Sequence, residues 1–86
     1  RADSVAAFAV PGEDVEKLII LAERDQTANE SDDAAAIEAI RSEVGNAHGV
    51  VPEDIRILAA DEIARSSSGK IARRVNQRNY ITENKQ

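Results

Sequence analysis

The sequence predicts an α+β fold, a small mixed β-sheet of about three strands with two helices packed on it, in the order β-β-α-β-α. Short apolar runs of strand length lie at residues 4–10, 16–24 and 53–61. The segments at residues 34–49 and 70–81 instead space their apolar residues three and four apart, which is typical of helices. Elements that follow one another in this way build a sheet with helices on its faces.

The first two apolar runs are expected to pair as antiparallel strands. The run SVAAFAV, at residues 4–10, ends at a Pro11-Gly12 turn, and EKLIILAER follows at residues 16–24. A connector this short and turn-forming favours a hairpin. Because the first run is apolar almost throughout, we expect it to be buried on both faces, with Phe8 in the core.

The polar segment at residues 25–33 is predicted to be a loop, in which Ser31 or Asp32 caps the helix that follows. Gly49 is expected to end that helix. Gly45 lies inside it, where glycine costs about 1 kcal/mol relative to alanine, and close packing on a strand is one explanation. The apolar stripe expected to face the sheet consists of Ile37, Ile40, Val44 and Ala47.

The third apolar run is predicted to be a strand, because Ile55 and Ile57 alternate with the polar Arg56. Residues 62–69 are then expected to form a loop and residues 70–81 a second helix. The buried face of this helix is expected to consist of Ile71, Val75 and the stem of Arg78, with Tyr80 in the core.

The net charge of −5 over 86 residues is unevenly distributed. From Arg65 onward there are six basic residues and one acidic residue, a net of +5, so the rest of the chain has a net charge of −10. This asymmetry favours an anionic partner for the basic segment. A small binding module that uses this segment on nucleic acid is one alternative, but two aromatic residues are few for base stacking and the acidic portion opposes such binding.

The composition also argues against several classes of protein. The chain has no cysteine and one histidine, so a disulfide framework and a zinc site are not expected. No apolar run approaches the ~20 residues that span a bilayer, and the first residues do not form a signal peptide. We therefore expect no transmembrane segment, no metal site and a cytoplasmic location. Because the chain starts without Met and almost directly in a strand pattern, we expect it to be part of a longer protein.

The run ARSSSGKIARR, at residues 64–74, is the most unusual segment of the chain. A P-loop is disfavoured, because that motif needs Gly and Ser or Thr where this run has Ala and Ile. As local structure we expect a solvated loop in which Ser68 caps the second helix, but this alone leaves Lys70, Arg73 and Arg74 unexplained. Cations in the first turn of a helix are unfavourable by about 0.3–1 kcal/mol each. Three cations at an unfavourable position favour a functional site. In this site Lys70, carried on a flexible loop, would reach an oxyanion of a ligand.

The longer run EIARSSSGKIARR resembles the last core motif of the acyl-adenylating superfamily, which includes acyl-CoA synthetases, peptide-synthetase adenylation domains and luciferases. The usual run in that family is Pro, a basic residue, Thr, any residue, Ser, Gly and Lys, followed shortly by Arg. Ala64 and Ser66 depart from this pattern. The residues that match it are Ser68, Gly69, Lys70 and Arg73.

The resemblance extends over nearly the whole chain through VAAFAVPGEDVEKLIILAER and HGVVPEDIRIL, and it is strongest to the mycobacterial long-chain fatty-acyl-AMP ligases. It implies that residues 1–86 are part of a C-terminal lid domain, whose N-terminal adenylation domain and hinge lie outside this chain. The fragment alone would then be inactive.

The activity that the resemblance implies has two steps. A long-chain fatty acid and ATP first form acyl-adenylate and pyrophosphate, with ATP and Mg²⁺ bound mainly by the N-terminal domain. The acyl group then passes to an acyl-carrier protein of a polyketide synthase, in lipid biosynthesis of the mycolic-acid type. A CoA-forming acyl ligase is the alternative within the superfamily. Nucleic acid is not an expected partner.

The resemblance also implies roles for individual residues. Lys70 is similar in position to the catalytic lysine that contacts the carboxylate and the phosphate oxygens. Arg73 and Arg74 could contact phosphates or an acidic carrier protein, or could instead form a solvated helix face. The serines could instead be ordinary loop and cap residues, which is the reading that their residue type alone favours. The residues expected to form the nucleotide and phosphate loop are Ser66, Ser67, Ser68 and Gly69.

Overall fold

The computed structural model describes residues 4–84, so that Lys85 of the basic segment lies outside the described residues. It confirms the α+β class and the β-β-α-β-α order. A 3-10 segment precedes the first helix at Glu30–Asp32, and another follows the third strand at Ala60–Glu62. The strands and helices are β1 (Val5–Val10), β2 (Lys17–Glu23), α1 (Asp33–His48), β3 (Asp54–Leu58) and α2 (Arg73–Glu83).

The sheet is mixed, with the strand order β1-β2-β3. β1 pairs with β2 in antiparallel fashion, as predicted, and places Phe8 opposite Ile19. β3 pairs with β2 in parallel fashion and places Ile20 opposite Ile55. A parallel neighbour needs a crossover connection, which α1 provides.

The position of each strand in the sheet decides how much of it is buried. β2 is central, and its residues 19–22 are at most 6% exposed. β1 lies at an edge, and along it Phe8 is buried whereas Val5 and Ala7 are exposed. The prediction that β1 is buried on both faces is therefore wrong. The physical reason is that α1 packs against β3 and leaves the second face of β1 uncovered.

The main core lies on the face of the sheet that α2 covers. Ile63, which follows the second 3-10 segment, is 5% exposed and belongs to this core. The rings of Phe8 and Tyr80 meet edge to face, with centroids 6.0 Å apart and planes at 64°, a geometry that adds about 0.5–1.5 kcal/mol beyond area burial. The buried residues of this cluster are Phe8, Val10, Ile19, Leu21 and Ile63, with Leu58, Ile71 and Tyr80 packed against them.

Helix α1 covers the opposite face of the sheet, because the register places Ala22 and Ile57 there. Its predicted stripe is used only in part: Ile37, Ile40 and Val44 are half-buried and Ala47 is exposed. Helix α1 contains no fully buried residue. A shallow groove is therefore left between the helix and the sheet, lined in part by Ile40, Ala22 and Ile57.

The end of α1 was predicted correctly, whereas the cap at its start was not. Gly49 ends the helix in the left-handed conformation, with φ +68°, as expected. At the other end Asp32 occupies the cap position, but its carboxylate accepts a hydrogen bond from the Asn29 amide at 3.0 Å. The expected side-chain cap by Ser31 or Asp32 is therefore absent, because Asp32 stabilises the preceding 3-10 segment instead.

Helix α2 is held to β3 through Tyr80. The Tyr80 hydroxyl donates to Asp54 Oδ2 at 2.9 Å, and the Arg56 guanidinium lies 4.6 Å from the centre of the Tyr80 ring. Burial and the Asp54 carboxylate raise the pKa of Tyr80 above its ordinary value. On the same face Gln77 Nε2 donates to the Ala9 carbonyl at 2.5 Å, which joins α2 to β1.

The inward face of α2 differs from the predicted one. Asn76 is buried, whereas Val75 is 38% exposed and Arg78 is exposed. Ile71 packs against the core but precedes the helix. The prediction was wrong because the helix begins at Arg73 instead of Lys70. Among residues 4–84, neither helix is both long enough and apolar enough to cross a membrane.

Candidate functional site

The segment between Ile63 and α2 forms a short hairpin, which we call the lysine loop (residues 64–72). At its base the Ala72 amide donates to the Ala64 carbonyl at 3.0 Å. One residue further in, Arg65 and Ile71 form an antiparallel bridge. Backbone pairing therefore brings the two ends of the lysine loop together, and its remaining residues project from the fold.

The tip of the lysine loop is a tight turn. The Ser66 amide donates to the Lys70 carbonyl at 2.7 Å, and the Gly69 amide donates to the Ser66 carbonyl at 2.9 Å. Gly69 has φ +88°, a left-handed conformation that glycine adopts without the steric cost of a Cβ. This requirement gives Gly69 a backbone role in the motif.

The three serines of the predicted phosphate loop are exposed at this tip. The Ser66 and Ser68 hydroxyl oxygens lie 3.0 Å apart, and either can donate to the other. The expected capping of α2 by Ser68 is wrong, because the cap position is Ala72 and no side chain caps it. The structure thus places Ser66, Ser67, Ser68 and Gly69 together next to Lys70, and their roles toward a ligand stay a prediction.

Lys70 is exposed, and within residues 4–84 its ammonium has no ion-pair partner. The prediction that Lys70 lies in the first turn of a helix is wrong, because Lys70 lies in the lysine loop. The Lys70 carbonyl accepts from the Ser66 amide, and the bridge at Ile71 keeps the chain extended, so that helical hydrogen bonding starts only at Arg73. The result is an exposed ammonium on a backbone that hydrogen bonds define.

Arg73 and Arg74 form the first turn of α2, and both are exposed. Neither makes an ion pair within the described part of the chain. The unfavourable placement of cations at a helix start, expected for three residues, therefore applies to these two. Together with Lys70 they make this end of the fold positive.

Arg65 connects the lysine loop to the sheet. Its Nη1 donates to the Gly69 carbonyl at 2.8 Å, and its Nη2 pairs with Glu23, the last residue of β2. The Glu23 side chain is only 10% exposed, so this pair is partly shielded from water. The sequence did not indicate this contact, because 42 residues separate the two side chains.

Asn76 was also missed by sequence reasoning, although its side chain holds both ends of the lysine loop. Its Oδ1 accepts from the Ala64 amide at 2.9 Å. Its Nδ2 donates to the Ala64 and Ala72 carbonyls at 3.0 and 2.9 Å. An asparagine inside a helix, where its propensity is low, was the available signal.

Comparison with known proteins gives two findings, one on sequence and one on fold; no family model matches the chain. Over 71 residues, 83% of the chain, it is 38% identical to the long-chain-fatty-acid–AMP ligase FadD32 of Mycolicibacterium smegmatis and 34% identical to FadD32 of Mycobacterium marinum. The solved structure of McyG A-PCP complexed with phenylalanyl-adenylate has the same fold, with a TM-score of 0.80 over 95% of this chain at 21% identity.

These similarities confirm the predicted relationship to the acyl-adenylating, AMP-binding superfamily, and the chain resembles the C-terminal domain of its ligases. Within that superfamily the relatives are mycobacterial long-chain fatty-acyl-AMP ligases, which is the branch that the motif indicated. The chain spans 11% of the length of these relatives and 13% of the solved chain.

Proposed function

We propose that the chain is the C-terminal lid domain of an ATP-dependent long-chain fatty-acyl-AMP ligase and that Lys70 is its catalytic residue. The observation that supports this proposal is an exposed ammonium, without an ion-pair partner in residues 4–84, on a hairpin whose base is fixed by hydrogen bonds. A free cation on a defined backbone can enter the cleft of another domain without first breaking a contact. The homology to fatty-acyl-AMP ligases supplies the reaction.

In the first step, an oxygen of the fatty carboxylate attacks the α-phosphorus of ATP. The new bond is the acyl–phosphate O–P bond, the α–β phosphoanhydride bond breaks, and pyrophosphate leaves with its electrons; no proton is transferred. Two anions must approach each other, and charge accumulates on the oxygens of the pentacovalent phosphorus. The Lys70 ammonium would offset that repulsion and stabilise the developing charge.

The residues of this chain fit an anionic ligand better than a metal. Within residues 4–84 there is no group of three or more His, Asp or Glu side chains that could hold a metal ion. In the proposed enzyme, the N-terminal adenylation domain would bind the Mg²⁺ that accompanies ATP and make most of the contacts to ATP itself. The residues offered by this chain are Lys70 and the adjacent phosphate loop of Ser66, Ser67, Ser68 and Gly69.

In the second step, the proposed acceptor is the phosphopantetheine thiol of an acyl-carrier protein that serves a polyketide synthase. The thiol attacks the acyl carbonyl, a thioester forms, AMP leaves, and the thiol proton passes to solvent. Arg73 and Arg74 are the proposed contacts for an acidic carrier protein, because both are exposed and unpaired within the described residues. Such an enzyme would act in lipid biosynthesis in the cytoplasm.

The experiment that tests the proposal is substitution of Lys70 in the enzyme that contains this chain. We expect Lys70→Ala to lower the rate of acyl-adenylate formation by about 10²-fold or more, because a transition-state cation is lost. Lys70→Arg should also be poor, since a planar guanidinium does not replace a compact ammonium. The rate is measured as pyrophosphate release with ATP and a long-chain fatty acid.

Lys17→Ala is the matched control. Lys17 lies at the opposite end of β2 from Glu23, which contacts the lysine loop, roughly 20 Å away along the strand. Its loss removes the same charge and should leave the rate unchanged. Wild-type rates in Lys70→Ala would contradict the assignment of Lys70.

A further inference from the structure

The Asn76 side chain is the most buried polar group in the described part of the chain, at 2% exposure. It lies one turn into α2, on the face that packs toward the sheet. Burying an amide is unfavourable unless its hydrogen-bonding capacity is used. Here both of its polar atoms are used, and all three of its bonds go to backbone atoms of the lysine loop.

The three bonds have a specific arrangement. Toward Ala64 the amide acts as a neighbouring strand would, accepting from the N–H at 2.9 Å and donating to the carbonyl at 3.0 Å. Toward Ala72 the side-chain Nδ2 donates at 2.9 Å to the carbonyl oxygen. The same oxygen also accepts from the backbone N–H of Asn76 at 3.0 Å. Ala64 and Ala72 are the first and last residues of the lysine loop. Asn76 therefore fixes the separation of its two ends and ties both to the first turn of α2.

We propose that Asn76 is a positioning residue for the Lys70 ammonium. The inference rests on the proposed function, in which Lys70 must meet a carboxylate and a phosphate at one point. Lys70 lies two residues before Ala72, so a shift of the base of the lysine loop would also displace the Cα of Lys70. A misplacement of about 1 Å can cost about 10²-fold in rate even when the group itself is intact.

The first test compares two asparagines of α2 in the enzyme that contains this chain. Asn76→Ala should lower kcat for pyrophosphate release by about 10-fold or more and leave KM for ATP within about twofold. Asn79→Ala is the matched control, since Asn79 lies one turn further along and is exposed. It should retain the wild-type rate.

A second variant covers the case in which Asn76→Ala does not fold, which thermal unfolding would reveal. Asn76→Ser adds no charge and has a hydroxyl that can donate to the Ala72 carbonyl four residues earlier, but it loses both bonds to Ala64. It should fold and still lose rate. A wild-type kcat in either folded variant would overturn the proposal.

A double-mutant cycle separates positioning from general stability. If Asn76 acts through Lys70, Asn76→Ala should cost nothing further in a Lys70→Ala background. An equal loss of rate in both backgrounds would overturn the positioning role. A wild-type rate in Lys70→Ala alone would instead refute the proposed function, and the inference would fall with it.

Hydrogen exchange on the unsubstituted enzyme adds a test that needs no variant. The amides of Ala64, Ser66 and Ala72 donate within the closed loop, so they should exchange more slowly than the amides of Ser67 and Ser68 at its tip. Uniformly fast exchange across the loop would show that its base is not held and would overturn the proposal.

Discussion

At the scale of the residue, Gly69 makes the tip of the lysine loop possible. Its φ of +88° is unfavourable for any residue with a Cβ, but a Cβ there would meet no other atom within 4 Å. Gly69→Ala should therefore lower the free energy of unfolding through backbone strain alone, by about 1–2 kcal/mol. Urea unfolding of the chain measures this change.

Ser67→Ala is the control for Gly69→Ala. Ser67 is exposed at the same tip, and no residue other than glycine has a positive φ in the described part of the chain. Its substitution should leave the free energy of unfolding within about 0.5 kcal/mol of wild type. Equal stabilities of the two variants would show that the turn relaxes around residue 69.

The sequence predicted the exposed residues of the candidate site and missed those that hold the lysine loop in place. Lys70 and Gly69 follow from a local motif, since both lie within a run of seven residues. Asn76 and the Glu23 partner of Arg65 depend on how a hairpin closes against a helix and a strand. Hydrophobic periodicity has no information on such hydrogen bonds and ion pairs between distant residues, which are set by tertiary geometry.

At the scale of the element, Gly45 offers a direct test of α1. The expected close contact with a strand is absent, because a Cβ at residue 45 would meet only the Val50 carbonyl oxygen, at 3.9 Å. That distance is an ordinary van der Waals contact. Gly45→Ala should therefore raise the free energy of unfolding by about 0.5–1 kcal/mol, through the entropy that glycine loses in a helix.

Gly49→Ala is the contrasting substitution at the end of the same helix. Gly49 has φ +68° and its amide donates to the Gly45 carbonyl at 2.9 Å. Alanine in this left-handed position should lower the free energy of unfolding by about 1 kcal/mol. Urea unfolding of the two variants side by side should give changes of opposite sign, and changes of the same sign would contradict the helix boundaries.

The start of α1 should make stability depend on pH in the acid range. Arg24 donates to both Asp33 oxygens, at 2.9 and 2.7 Å, and these bonds hold the pKa of Asp33 below its ordinary value of 3.8. A lowered folded-state pKa means that the stabilisation is complete above about pH 3.8 and is lost as the pH falls below it. Asp33→Asn should therefore be less stable than wild type at pH 7, and the difference should shrink near pH 2.

Arg24→Gln tests the same pair from the other side. Without the guanidinium, the pKa of Asp33 should return toward its ordinary value, and the same part of the acid dependence should disappear. Urea unfolding at several pH values measures both variants. If the difference between wild type and Asp33→Asn stayed constant down to pH 2, the pair would not be the source of the dependence.

Strands and helices were predicted well where the residues within the element itself determine its type and its ends. β2 and β3 follow from their apolar runs, and Gly49 ends α1 as expected. β1 was misjudged because its sequence does not reveal that it lies at an edge of the sheet. The start of α2 was misjudged because helical spacing continues from Lys70 into residues that the hairpin holds extended.

At the scale of the whole molecule, the two helices lie on opposite faces of the sheet. The register of the sheet places α2, with its exposed Arg73, Arg74 and Arg78, on the face opposite α1. The excess of acidic residues lies outside the segment from Arg65 onward. The fold was predictable from 86 residues, whereas the acyl acceptor stays a proposal, because the chain spans only 11% of the length of its relatives.

Arg74→Glu should separate the two steps of the proposed reaction in the enzyme that contains this chain. The substitution changes the local charge by two units on the face proposed to meet an acidic carrier protein. Adenylate formation should stay within about twofold of wild type, whereas acyl transfer to the carrier protein should fall by about 10-fold at low salt. Because exposed charges are screened within about 10 Å at 0.1 M salt, the defect should diminish as ionic strength rises.

Arg41→Glu is the control, because it makes the same change of charge on α1, at the opposite face of the sheet, where Arg41 has only an exposed partner in Glu38. It should alter neither step. Equal transfer rates for Arg74→Glu and wild type would show that the α2 face does not contact the carrier protein. Prompt formation of acyl-CoA when free CoA replaces the carrier protein would instead show that the acceptor is CoA, because a thiol that needs no docked protein would then be sufficient to capture the acyl group.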